Sequence, residues 1–362
     1  MLRSPDMSPL DRAAAFCRRF GLRVPVLQAP MAGASPPGLA VAVANAGGMG
    51  GMGALLSEPG SIADWAGTVR GQTNGAFQIN LWIPDAPPVR DGAAEARVRD
   101  FLAGWGPAVE AAAGDATPPD FAAQCDAILT ARPRVVSSIM GLYPPAFVAA
   151  LKARDIAWFA CVTTVAEAKA AAAAGADAVI AQGAEAGGHR GAFDPAAADR
   201  QSAGLFALLP LVADAVGVPV IATGGIMDGR GAAAALLLGA SAVQLGTALL
   251  RAPEAAIHPA WADRLAVTQP EDTLPTRAFS GRLGRSIATA YVRAAGAPGA
   301  PAPAPYPVQR GLTAGMRTAA QQAGDGERMQ LWAGQGAALA RAAPAGEIVE
   351  ALWAEARRLL GG

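Results

Sequence analysis

Residues 181–191 read AQGAEAGGHRG and contain one of only two histidines in the chain. An imidazole titrates near pH 6.5, where it can hydrogen-bond a substrate oxygen or take a carbon-bound proton once positioned. His189 is therefore the residue best suited to substrate positioning or general-base chemistry. Gly187, Gly188 and Gly191 around it supply no packing but leave the backbone free to approach something closely, so the segment is built to meet a ligand. Other chemistries find little footing. Lys152 and Lys169 both fall in helical stretches, so no Schiff-base amine follows a strand end. No carboxylate pair or histidine cluster offers a metal site. Glu185, the acid of the glycine-rich loop, reads equally as a loop brace or a functional group.

A second pattern concerns anions. ATGGIMDGR at 222–230 sets Gly224 and Gly225 before a helix, and QLGTALL at 244–250 sets Gly246 and Thr247 at the next such turn. Two sets of backbone N–H groups at helix N-termini can converge there on one phosphate. A phosphate cup implies a phosphorylated substrate or cofactor. With His189 as the lone polar actor the chemistry falls mostly to a cofactor, and flavin mononucleotide (FMN) suits the cup together with the amides of Asn80, Gln182 and Gln244.

The elements that must position these groups are short Val/Ile-rich runs bounded by Gly or Pro, the pattern of strands buried on both faces of a parallel sheet. Eight occur, at 25–30, 51–56, 76–81, 134–139, 156–162, 177–182, 218–224 and 241–246. Alanine-rich helical stretches lie between most of them, such as 36–46, with Ser35 as expected cap, and 164–174 after Thr163 or Thr164. Eight strand–helix units predict an α/β fold, a (β/α)8 TIM barrel with a smaller C-terminal lid or side domain. The expected boundaries are a barrel over 1–250 with a helical insertion at about 85–130, a lid over 251–335, and a C-terminal helix over 336–362 returning to the barrel. The Pro/Ala run 296–305 reads as an extended, semi-rigid connector. In such barrels ligands bind at the carboxyl ends of the strands, which selects Met31, Asn80, Gln182–His189, Gly224, Gly225 and Gln244–Thr247.

Composition narrows the partners. Lys plus Arg and Asp plus Glu both number 29, so no basic field exists to draw nucleic acid. The uncharged stretch 231–250 breaks at Leu-Gly-Ala-Ser and reads as a buried helix running into a strand, not a membrane span. The N-terminal segment MLRSPDMSPLDRAAAFCRRF lacks the apolar run of a signal peptide. Cys17, Cys125 and Cys161 read as inert thiols of a reducing, cytoplasmic compartment.

QAPMAG at 28–33, INLW at 79–82, AQGAEAGGHRG, ATGGI at 222–226, QLGTALL, TRAFSGR at 276–282 and LWAGQG at 331–336 occur in this order. Together they resemble the nitronate monooxygenase family, formerly called 2-nitropropane dioxygenase. The resemblance implies an FMN-containing barrel with a second domain over the flavin, oxidising alkyl nitronates with dioxygen to a carbonyl compound and nitrite, as a monomer or homodimer. It places flavin contacts on Met31, Asn80, Gln182, Gly187, Gly224, Gly225, Gln244, Leu245, Gly246 and Thr247, and the active-site imidazole on His189. One departure stands out: where the family commonly has VVSFHFG, this chain reads VVSSIMG, so Ile139 replaces a second histidine and, with Met140, implies a less polar pocket. His258 in AIHPAW reads as a solvent or structural residue, Arg282 and Arg285 as surface arginines with an anion-binding alternative, and Trp332 as an anchor between lid and barrel. The enoyl-thioester reductases that use NAD(P)H through FMN share a similar loop and form the competing reading, with a flavin-binding protein of little turnover as the third.

Overall fold

The computed structural model describes residues 7–362; the first six residues of the N-terminal segment read above for a leader lie outside this range. All eight expected strands form, as β1 (Val26–Gln28), β2 (Gly50–Gly53), β3 (Phe77–Trp82), β4 (Val135–Ile139), β5 (Ala157–Val162), β6 (Ala178–Gln182), β8 (Val220–Thr223) and β9 (Ala242–Leu245). Between β6 and β8 the two-residue β7 (Gly188–His189) belongs to a separate sheet. The eight run parallel in the order β1-β9-β8-β6-β5-β4-β3-β2. A bridge between Leu27 and Met49 links the two ends, with Gln28 N–H donating to Met49 at 2.8 Å and Met49 N–H to Val26 at 3.0 Å. The fold is the (β/α)8 barrel.

Alternation along each strand divides the core in two. One set of side chains, including Val26, Ile79, Val136, Ala160, Val179 and Val220, packs outward on the helices. The other, including Leu27, Met49, Val135, Phe159, Ile180 and Ile221, fills the barrel. Helix Pro9–Phe20 plugs one end through Phe16 and Phe20, the latter edge-on to Phe159 with centroids 4.8 Å apart.

Two helical details differ from expectation for steric and hydrogen-bonding reasons. Helix Pro37–Asn45 has Pro36 as its N-cap, with no side-chain cap; the Ser35 hydroxyl instead accepts the N–H of Met31 at 3.1 Å. Of the 85–130 segment, helix Phe121–Ala131 packs beside helix Pro59–Arg70 as a regular barrel helix, Cys125 and Ile128 joining the outer core. Helix Gly92–Leu102 instead packs Val98 and Leu102 against Phe279, Tyr291, Val308 and Leu312 from the region after the barrel strands. Helix Val165–Ala173 is capped by Thr164 as its sequence implies.

After β9 the chain builds β10 (Thr273–Thr276) and β11 (Gly284–Ile287), antiparallel to each other, and β11 pairs with β7. Helix Ala345–Leu359 then lies between helices Gly229–Leu237 and Pro37–Asn45, where a barrel's eighth helix belongs. No helix among the described residues is long and apolar enough to cross a membrane; the 231–250 stretch is the end of one barrel helix followed by β9.

Candidate active site

A cavity of about 480 Å³ opens at the carboxyl ends of the barrel strands. Of the residues singled out from sequence, Met31, Asn80, Gln182, Gly187, His189, Gly224, Gly225, Gln244, Gly246 and Thr247 all line it. Leu245 does not: it is fully buried in the barrel wall, and its carbonyl accepts the Ala29 N–H at 2.8 Å. Strand alternation explains this, because Gln244 and Leu245 must point to opposite faces.

The two glycine turns keep their N–H groups free. Gly224 (φ 118°) and Gly225 (φ 70°) adopt conformations that disfavour any side chain. The N–H groups of Gly224, Gly225, Gly246 and Thr247 find no acceptor among the described residues, a state that needs a ligand or water. Asn80 donates through Nδ2 to Ser137 (3.1 Å to Oγ, 3.2 Å to the carbonyl), leaving its oxygen available. Gln244 accepts from Gln78 at 3.1 Å, leaving its amide N–H groups available. The Thr247 hydroxyl accepts the Gly334 N–H at 3.0 Å.

His189 sits on β7, which β11 holds by pairing Gly284 with His189 and Arg285 with Gly188. Its Nε2 and Ser280 Oγ are hydrogen-bonded at 2.7 Å. Trp82 lies edge-on at 4.6 Å between centroids and Trp332 tilts at 4.8 Å. Burial among these rings, reinforced by the charges of Arg282 and Arg310, lowers the imidazole pKa from 6.5 to about 3. The ring is neutral at physiological pH, because both the apolar surroundings and the nearby cations oppose its protonated form.

Several neighbours have structural duties that their sequence positions did not reveal. Gln182 uses both ends of its amide within the loop, Nε2 donating to the His189 carbonyl at 3.0 Å and Oε1 accepting the Gly191 N–H at 2.8 Å. It therefore holds the histidine in place. Glu185 is the loop brace, accepting the Leu205 N–H at 2.8 and 2.9 Å at the start of helix Leu205–Ala215. Arg282 is buried, paired with Asp85 through Nε at 2.9 Å and through Nη2. Arg285 donates to Ala184 and Thr273 carbonyls. Arg282 is therefore not a surface residue and Arg285 is half-buried; neither lines the cavity. His258 caps helix Pro259–Val267, its Nδ1 accepting the Ala260 N–H at 3.1 Å. Ile139 lines the cavity, as expected, but Met140 does not; it is buried at φ 66°.

Sequence reasoning missed Trp82, Ser280, Tyr306 and Arg310, all in the cavity wall. The 296–305 connector is pinned, not free. A Cβ on Gly281 would meet the Ala304 carbonyl oxygen at 2.3 Å and the Tyr306 N at 2.6 Å, so the chain passes directly over Gly281 and delivers Tyr306 to the site. The cysteines are free and buried, with Cys161 pushed up to about 12 by burial and so unreactive as a thiolate. No cluster that could hold a metal occurs among the described residues.

A parallel eight-stranded barrel with its cavity at the strand carboxyl ends, a neutral histidine in the wall and unsatisfied N–H groups at the last two strand ends defines a barrel enzyme acting on a small molecule. The family model for nitronate monooxygenase matches residues 15–355. A nitronate monooxygenase from Pseudomonas aeruginosa is 40% identical over 94% of this chain and 99% of its own. Among solved structures, a nitroalkane oxidase from Streptomyces ansochromogenes is similar at a TM-score of 0.86 and 38% identity, covering 95% of this chain and 98% of that one. FabK from Thermotoga maritima is similar at 0.72 and 26%, over 96% and 97%. The chain belongs to the nitronate monooxygenase family and is an oxidoreductase.

Proposed function

We propose that this protein is an FMN-dependent enzyme that oxidises alkyl nitronates with dioxygen to a carbonyl compound and nitrite. One observation carries the reading: the unsatisfied N–H groups of Gly224, Gly225, Gly246 and Thr247 share a single cavity with His189, in a chain of this family. Those N–H groups fit a phosphate, and the free oxygen of Asn80 and free amide N–H groups of Gln244 fit, respectively, the N–H donor and the carbonyl acceptors of a flavin's pyrimidine ring. Met31 and Gly187 complete the wall. Bound there, FMN would take electrons from the substrate and pass them to dioxygen. The domain reading belongs to the same proposal, with 1–250 as the barrel, 251–335 as a lid and 336–362 returning to it.

The protein's own part is to bind and orient. A conjugate acid near pKa 3 makes His189 a poor general base toward a carbon acid, since such catalysis is most effective when the pKa lies near the working pH. His189 instead hydrogen-bonds an oxygen of a substrate that arrives ionised, its ring held by Ser280 and by the Gln182 brace. Trp82, Trp332 and Ile139 keep water from the reacting carbon.

The purified protein should be yellow and release FMN on denaturation. Anaerobic mixing with an alkyl nitronate should reduce the flavin, while NADPH or NADH should leave its spectrum unchanged. Rapid reduction by NAD(P)H instead would favour the competing reductase reading, with an enoyl-thioester as the acceptor to test next. Colourless protein that cannot be reconstituted with FMN ends both readings. His189→Asn should keep the colour while turnover falls by roughly 10² to 10³, the loss typical of one hydrogen-bond donor that meets a charged oxygen.

A further inference from the structure

We propose that Tyr306 and Arg310 form an oxyanion subsite in the cavity wall that selects ionised substrates, making this pair the determinant of preference for a nitronate over its neutral parent nitroalkane. The proposal deepens the reading of the cavity as a nitronate site and rests on it. Among the described residues no Asp or Glu lines the cavity, while Arg310 and Arg317 do. Arg317 is engaged: Nε donates to Thr313 Oγ1 at 3.2 Å, Nη2 to the Arg310 carbonyl at 2.9 Å and Nη1 to Gln330 at 3.5 Å. The Arg310 guanidinium has neither ion pair nor hydrogen bond among the described residues. Tyr306 carries a buried hydroxyl with no partner.

Both residues line the same cavity as His189. Trp82 touches both neighbours, with centroids 4.6 Å from His189 and 5.3 Å from Tyr306, so the imidazole and the phenol flank one indole. A buried donor left unpaired is costly, and a ligand oxygen relieves that cost. Burial keeps the Tyr306 phenol protonated, hence a donor. A guanidinium fork matches a planar pair of oxygens sharing one negative charge, the geometry of a nitronate. The neutral nitroalkane offers two oxygens without net charge and gains less from the same donors. His189, being uncharged, supplies no counter-charge; Arg310 and Arg317 supply it, and of the two Arg310 is the one whose guanidinium donors are not already engaged.

Nitrate, a planar oxyanion that does not react, is the probe. Its binding to the FMN-loaded protein is measured by calorimetry, alongside KM and kcat for a nitronate and for its parent nitroalkane. Arg310→Met should weaken nitrate binding and raise the nitronate KM by about 10- to 100-fold, the loss expected for a charge-assisted hydrogen bond. The nitroalkane KM should stay within about twofold, since no net charge is lost. Tyr306→Phe should cost about 3- to 10-fold on both nitrate and nitronate, as for a neutral donor. Arg310→Lys keeps the charge without the fork and should fall between wild type and Arg310→Met, which separates a charge effect from damaged folding. Unchanged nitrate binding in Arg310→Met, or equal rises in both KM values, overturns the proposal. If no nitronate is oxidised but nitrate binding still depends on Arg310, the subsite stands and the oxidation reading falls.

Discussion

His189 could be picked from sequence as the candidate for chemistry, but its protonation state could not, because that depends on what folds around it. Trp82 and Trp332 come from segments 250 residues apart, and Arg282 and Arg310 come from the region after the barrel. Together they hold its pKa near 3. This has a consequence for stability. The unfolded chain binds a proton at His189 below pH 6.5 and the folded one does so only near 3, so between these values the unfolded state binds more protons. The residue's contribution is therefore fully present above pH 6.5 and is lost progressively as pH falls toward 3. Thermal midpoints measured from pH 7 to pH 4.5 should drop less in His189→Asn than in wild type, once the carboxylates common to both are subtracted. Parallel pH dependences would show that His189 titrates normally in the folded protein.

At the scale of elements, the glycine-rich loop works by contact with protein as much as with ligand. A Cβ on Gly187 would lie 2.4 Å from Gly334 N and 2.5 Å from the Ala333 carbonyl carbon, with backbone on the far side and nothing flexible to yield. The AEAGGHRG and LWAGQG motifs thus require each other. Gly187→Ala should destabilise the fold by about 1–3 kcal/mol, as overpacking does, and it should push residues 333–334 off Thr247 and loosen the proposed phosphate cup. Equal stability and unchanged FMN affinity in that variant would show that the loops have room to part. The barrel strands were legible because strands buried on both faces leave uninterrupted apolar runs, as in VPVIATG and DAVIAQ. The strand-end residues followed from the barrel rule. Ser280, Tyr306 and Arg310 were not legible: they enter the site through the passage of 304–306 over Gly281, a long-range contact with no local signature. Gln182 and Gly187 were legible as residues of the cavity wall but not as braces, since spacing alone does not reveal which hydrogen bond or backbone a residue meets.

For the molecule as a whole, the expected division into barrel and lid has to be set against how the chain is stitched. The three-stranded sheet draws β7 from the loop after β6 and β10 and β11 from beyond residue 270. The barrel's eighth helix position is filled by Ala345–Leu359, about 100 residues after β9, whose residues Ile348, Val349, Leu352 and Ala356 are buried in the outer core. Gly229 lets this helix approach closely: a Cβ there would lie 2.4 Å from Glu355 Cβ and 2.6 Å from Ala356 N. The intervening segment is thus anchored at both ends to the barrel and shares a sheet with it, so neither part keeps its core if the other melts. Unfolding should accordingly be a single transition, coincident by far-UV dichroism and by the fluorescence of the seven tryptophans, which include Trp82 and Trp332 at the junction. Leu352→Ala, far from the cavity on the outer helix, should cost about 2–5 kcal/mol through the lost methylenes and the space left behind. It should shift both signals together. If the two signals separated into different midpoints, or either split into two steps, the lid would be an independent unit merely resting on the barrel, and the cavity would owe its shape to docking of two parts instead of to one cooperative fold.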